Sequence, residues 1–225
     1  MGHAFFLEDA VESKNEFRFN LGISIWASLA LLNSDQTPSV YWITNPDNSF
    51  IGNVAVGSAA YGFWLAPEAA VSGASAGLAY AADVCPQGTP LGAFRDNVAH
   101  SNAHYGLRIH EVLTAREQPC SAPSNSNPYV STQLRSLLSY RNAINGVQLS
   151  AVAKLEMVSF ELVDNLLRGI EMPGAQALLC QSLTHSSQSF FPHSFSPVLA
   201  GGALARSMGY QPTAGLPHRW LYGGI

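Results

Sequence analysis

Short runs in which an apolar residue alternates with another recur along this chain. They are Phe5 and Leu7, Phe63 and Leu65, Leu107 and Ile109, Val147 and Leu149, and Ile170 and Met172. Alternation with period two marks a strand with one buried face. A small residue opens each run: Ala4, Gly62, Gly106, Gly146 or Gly169. Upstream stands an Asn. Nine residues separate Asn53 from Gly62 and Asn97 from Gly106, and four separate Asn142 from Gly146 and Asn165 from Gly169. Asn20 leads to Gly22 in a fifth copy. The residue after each Asn is apolar (Leu21, Val54, Val98, Ala143, Leu166). The unit reads as strand, Asn, turn, Gly, strand.

Successive members of this series lie 33, 44, 45 and 23 residues apart. The last interval is about one coil of a parallel β-helix; the longer ones fit a coil with an inserted loop, or two coils of which one lacks the Asn. A lone coil cannot bury its inner face, but stacked coils pair their strands and enclose a continuous core. Asn20, Asn53, Asn97, Asn142 and Asn165 are therefore expected to form one amide ladder. Asn also tolerates the left-handed backbone that corners need, and the Gly before each strand is read as supplying the same freedom. The predicted fold is all-β: a right-handed parallel β-helix with long surface loops and an irregular tail. An antiparallel sandwich also alternates, but it does not repeat an Asn–Gly frame. The helix is assigned to residues 1–189 and a Gly/Pro-rich tail, with no acidic residue, to 190–225.

Register aligns two outward columns. One holds Phe6, Trp64, Arg108, Gln148 and Glu171; the other holds His3, Tyr61, Tyr105, Asn145 and Arg168. Trp26 and Trp42 read as core or inter-coil packing. Two stretches, Pro67 to Pro90 and Glu111 to Pro128, read as loops. They carry Cys85 and Cys120, for which a disulfide and free thiols are both open readings; Cys180, in an apolar run, reads as a small buried hydrophobe.

Composition narrows the function classes. Charged residues make up 12% of the 225, and the net charge is −4 with Lys and Arg scattered. Without a basic stripe to neutralise phosphates, nucleic acid is not an expected partner. Apolar runs are too short to span a bilayer, so no membrane insertion is expected, and the N-terminus lacks the layout of a signal peptide.

Several blocks resemble one family. Gly2 to Asp9 with Asn15 and Asn20-Leu21-Gly22, Asp35 to Pro38 followed by Tyr41 to Asn48, and Asn97 to Asn102 with Tyr105 to Ile109 are similar to the β-helix region of the fibrocystins and the cell-surface, hyaluronan-binding hyaluronidases, most of all the fibrocystin-L-like members. The resemblance covers roughly residues 2–186. It implies an extracellular or cell-surface setting, within a longer protein of which this chain is expected to be a fragment.

Candidate chemistry is sparse. Glu8, Asp9 and Glu12 are candidate catalytic carboxylates, for glycoside cleavage, and His3 and Asp9 are the candidates for a metal site, Ca²⁺ being the ion carboxylate oxygens suit. Without Ca²⁺, no cofactor is expected. His100, His104 and His110 surround one coil. Phe6, Tyr61, Trp64, Tyr105 and Arg108 form the candidate ligand-binding strip, since aromatic bodies with polar tips suit sugars. Two functions follow: a rigid module binding a glycan or an extracellular protein, or a hyaluronidase-like depolymerase. The first is favoured, because no carboxylate pair is fixed by a motif.

Overall fold

A computed structural model describes residues 2–28, 36–172 and 178–186. The chain winds through three strands per coil. The first coil is β1 (His3–Leu7), β2 (Glu16–Arg18) and β3 (Leu21–Ile23); the second is β4 (Ser39–Ile43), β5 (Ser49–Ile51) and β6 (Val54–Val56). The third is β7 (Tyr61–Leu65), β8 (Phe94–Arg95) and β9 (Val98–His100); the fourth is β10 (Tyr105–Leu113), β11 (Thr132–Arg135) and β12 (Leu138–Tyr140). In the fifth, β13 (Asn145–Val152) is followed by β14 (Leu155–Val163), which runs through the positions of two strands; β15 (Arg168–Glu171) and β16 (Leu178–Ser186) begin a sixth. One sheet stacks β1-β4-β7-β10-β13-β15. The other strands form two further faces, joined through β14. Every pairing between these strands is parallel, which excludes the antiparallel sandwich.

The inward columns are continuous. Phe5, Tyr41, Phe63, Leu107, Val147 and Ile170 occupy one register line, and Leu7, Ile43, Leu65, Ile109 and Leu149 another. Like side chains one rung apart stack: Phe5 on Tyr41 at 4.8 Å and Tyr41 on Phe63 at 4.6 Å, with Phe17 on Phe50 at 4.9 Å from the second face. The third face is inverted in size. Through the first four coils its inward residues are small (Gly22, Ala55, Ala99, Ser139), before Leu162 in the fifth, and Leu21 and Ile23 on its outer side are exposed.

Two Asn ladders replace the single one expected. At the corner between β2 and β3, Asn53 Oδ1 accepts the backbone N–H and the Nδ2–H of Asn20, at 3.0 and 3.1 Å. Asn97 Oδ1 does the same for Asn53, at 2.9 and 3.3 Å. This ladder then stops, because buried Leu137 and Phe160 take the next two rungs. Asn142 and Asn165 belong to the following corner, the one before the first sheet. There Asn142 Oδ1 accepts from Asn102, and Asn165 Oδ1 from Asn142. Asn102 Oδ1 in turn accepts the Ser58 N–H at 3.0 Å. Asn102 thus belongs to the frame with Asn142 and Asn165, four residues before Gly106.

The turn itself is made by the residue before each Asn, or before the residue (Ile25, Ser58, Leu137 or Phe160) that takes its rung. Phe19, Gly52, Asp96, Ser136 and Ser159 at one corner, and Ser24, Gly57, Ser101, Arg141 and Asp164 at the other, all have φ between +48° and +66°. The Asn side chains therefore bond rather than bend the chain. Gly62, Gly106 and Gly146 have a different role from the one expected, for none has a positive φ. They make room. A Cβ on Gly106 would lie 2.0 Å from Ser139 Oγ, 2.8 Å from Gly146 O and 2.9 Å from Asn142 Nδ2. Gly22 sits on the third face, in register with Ala55, so it is not a member of this column.

Corner lengths separate into fixed and variable. Two residues join the second face to the third in each of the first four coils, and four join the third to the first sheet from the second coil on. The corner after the first sheet ranges from residues 153–154 to 66–93. The long intervals are therefore single coils with inserted loops. The second loop begins at residue 114, since β10 continues through Leu113. The loops 66–93 and 114–131 are joined by a Cys85–Cys120 disulfide, with Thr114 N–H donating to Gln87 O and Arg116 N–H to Gly88 O, both at 2.8 Å. The tail assigned to 190–225 lies outside the described residues, and Cys180 falls on β16.

Candidate functional site

The outward columns of the first sheet converge on Arg108. Register places Phe6, Trp42, Trp64, Arg108, Gln148 and Glu171 on one line, so Trp42 is part of the strip rather than of the core. Trp26 is not core either; it is exposed, and its Nε1 donates to Ser24 Oγ. The parallel line is His3, Ser39, Tyr61, Tyr105, Asn145 and Arg168.

Arg108 lies over the rings of Tyr61, Trp64 and Tyr105, at 4.8, 5.6 and 5.8 Å from their centroids. Its Nη1 donates to Tyr61 Oη at 2.5 Å and its Nε to Gln148 Oε1 at 3.2 Å. Burial raises the Tyr61 phenol above its ordinary range, and the Arg108 charge opposes that shift. The rings pack on each other. Tyr61 stacks on Tyr105 at 5.6 Å, Trp42 on Trp64 at 6.1 Å, and His3 on Trp42 at 4.7 Å. Phe6 is 57% exposed. Farther along, Glu171 accepts from Asn145 Nδ2 at 2.8 Å and pairs with Arg168 at 2.6 Å. The strip thus grades from aromatic to polar. It also carries unpartnered groups: the buried indole N–H of Trp42 and of Trp64, and Asn145 Oδ1, have no hydrogen-bond partner among the described residues.

The histidines do not converge. His100 stacks on Tyr140 of the third face at 4.5 Å, His104 sits beside Tyr61 at 5.6 Å, and His110 Nδ1 is 3.1 Å from Ser150 Oγ. Burial lowers the imidazole pKa of His100 and His104, helped by Arg141 and Arg108 respectively. Folded protein therefore binds fewer protons than unfolded chain as pH falls through the ordinary value of 6.5. Stability is expected to decline from pH 7 to pH 5. Urea midpoints across that range check this, and a His104→Gln variant should flatten the slope.

The acidic cluster has a structural task. Asp9 Oδ2 accepts the Ser75 N–H at 2.9 Å, and Asp9 O accepts the Ser72 N–H. The side chain packs so closely that a Cβ on Gly73 would lie 2.0 Å from its Oδ1. Asp9 thus pins the loop 66–93 against the first coil. Glu12 Oε1 accepts the Asp9 N–H at 3.4 Å, and Glu8 is exposed. His3, at the other end of β1, bonds Ser39. No group of three or more His, Cys, Asp or Glu among the described residues is arranged to hold a metal ion. Nor is any helix among them long and apolar enough to cross a membrane.

Comparison with known proteins gives three kinds of similarity. Residues 1–107 match the profile of the CEMIP beta-helix family. Human fibrocystin-L is 31% identical over 170 residues, 76% of this chain and 4% of that protein. The human cell surface hyaluronidase CEMIP2 is 29% identical over 189 residues, 65% of this chain and 13% of that protein. The human cell migration-inducing and hyaluronan-binding protein is 26% identical, over 66% of this chain and 14% of its own length. The chain therefore spans only a small part of each of these relatives.

Proposed function

This chain carries a CEMIP β-helix domain and is a homologue of fibrocystin-L and the cell surface hyaluronidases, and from that premise we propose that it is an extracellular scaffold module with a glycan-binding face. The scaffold is a right-handed parallel β-helix, the hand that parallel crossovers take almost without exception. A disulfide between loops suits an oxidising compartment. The binding face is the strip around Arg108. The observation that carries this reading is the outward line of aromatic rings, Phe6, Trp42 and Trp64, that runs into Arg108. Aromatic bodies edged by polar groups suit the apolar faces and hydroxyls of sugar rings. The module needs no resident cofactor.

Calorimetric titration with hyaluronan oligosaccharides, the ligand class in a relative's name, tests this. Saturable binding is expected, and Trp64→Ala should weaken it by about tenfold or more, as for a central aromatic contact. The homologous cell surface hyaluronidases favour a second reading, a depolymerase acting through Glu8, Asp9 and Glu12 with Ca²⁺. Against it, Asp9 is already committed to the Ser75 amide. Incubation with hyaluronan and Ca²⁺ should leave the polymer length unchanged. Cleavage that Asp9→Asn abolishes, while the fold survives, would replace the scaffold reading.

A further inference from the structure

A trough of about 300 Å³ lies on the outer side of the second face, between β8 and β11. Its lining includes Gly92, Ala93, Ser131 and Gln133, together with Arg95 and Arg135. Gly92 lets the chain approach the preceding coil, for a Cβ there would lie 2.3 Å from Asn48 O. Its edges are fixed rather than floppy. Gly92 N–H donates to Pro46 O at 2.9 Å, Phe50 N–H donates to Ala93 O at 2.7 Å, and the disulfide holds together the two loops that end at Ala93 and Ser131.

Arg95 and Arg135 are register partners on adjacent parallel rungs, roughly 4.8 Å apart. Like charges so placed destabilise a sheet unless something compensates them. Compensation here is incomplete. Arg95 pairs with Asp96 at 2.5 Å, but Arg135 has only the neutral Gln133 Oε1, at 2.9 Å, and no carboxylate partner among the described residues. Gln133 is itself oriented, since its Nε2 donates to Glu156 Oε2 at 2.5 Å. The amide oxygen is thereby turned to Arg135, and the remaining guanidinium donors of Arg135 stay available.

We propose that this trough binds a tetrahedral oxyanion, the sulfate or phosphate group of an ester or the free anion. A carboxylate has two oxygens and satisfies a single guanidinium fork, whereas a tetrahedral oxyanion offers at least three and can bridge two forks one rung apart. The trough lies on a different face from the Arg108 strip, so the two sites stand or fall separately.

Calorimetric titration of the whole chain with inorganic sulfate, with ionic strength held constant by NaCl, reads the site directly. Saturable binding is expected. Arg135→Gln should weaken it about tenfold, the usual value of one charge-assisted contact, and the Arg95→Gln/Arg135→Gln pair should abolish it. Trp64→Ala should leave it unchanged. A second readout follows from the uncompensated charge. In low-salt buffer Arg135→Gln should melt higher than the parent protein, and sulfate should erase that difference. A sulfated disaccharide that binds more tightly than inorganic sulfate assigns the anion to an ester, and equal binding assigns it to the free ion. Absence of saturable binding, or sulfate affinity retained in the double variant, overturns the proposal.

Discussion

Asn142→Ala is expected to lower folding stability by about 3 to 5 kcal/mol, on the order of 10 °C in melting temperature for a chain of this size. Asn142 is 1% exposed and sits in the middle of its ladder. Its Oδ1 accepts from Asn102 N and Nδ2, and its Nδ2 donates to Asn165 Oδ1 at 2.8 Å and to Ser139 Oγ at 3.0 Å. Truncation strands the Asn102 N–H, the Asn102 amide and part of Asn165 in a site that water cannot reach. Each such buried group costs about 1 to 3 kcal/mol, and the alanine cavity adds to that. Asn20 provides the contrast. It ends its ladder, is only half-buried, and donates to Asn53 while no ladder partner donates to it. Asn20→Ala should cost about 1 kcal/mol. Urea unfolding of both variants, with unchanged slope, measures the difference. Equal losses would mean that the ladder is a set of independent surface contacts.

Gly106→Ala is expected to cost about 3 kcal/mol or more, although it adds one methyl group. The new Cβ would meet Ser139 Oγ, Gly146 O and Asn142 Nδ2, and each is held by the neighbouring coil. Ser139 Oγ donates to Gly146 O at 2.9 Å, so moving it away breaks a buried bond. Gly77→Ala is the control. Nothing lies within 4 Å of a Cβ there, and only its φ of +75° is unfavourable. That strain is worth roughly 1 to 2 kcal/mol. Thermal melts of the two variants separate crowding from backbone conformation, and a Gly106→Ala no worse than Gly77→Ala would rule out close approach as the reason for the column.

The coils were legible in the sequence because stacking forces the same residue types onto the same rungs. Apolar alternation and Asn recur for that reason. The expected frame mixes two corners, since Asn20, Asn53 and Asn97 stand at one and Asn142 and Asn165 at the other. Asn97 and Asn102 both precede Gly106, and only the four-residue spacing shared with Asn142–Gly146 and Asn165–Gly169 identifies Asn102 as the member of that corner. Trp42 escaped because its strand has Val40 where the others have Ala or Gly, so the frame does not announce it. The Cys85–Cys120 pair stayed open, since loops carry no period that would align them. Asp9 looked like chemistry because its partner, Ser75, is 66 residues away, and no local pattern reveals an acceptor for a distant backbone amide. The bare Trp42 and Trp64 donors and the Arg95–Arg135 register pair are properties of packing, invisible until the coils are aligned.

The unequal corners carry a consequence for how such a chain can change. The two short corners keep their lengths whether an Asn or, as at Leu137, an apolar residue takes the rung, because each is tethered by hydrogen bonds to the coils beside it. The corner after the first sheet has no such tether through most of the stack, and it accommodates anything from the pair 153–154 to the segment 66–93. From the second coil on, insertions and deletions are therefore funnelled to a single seam along the molecule. Two descendants of one ancestor could differ widely in length yet superimpose rung for rung, and a foreign peptide spliced between Ala153 and Lys154 would emerge on the same side as the natural loops.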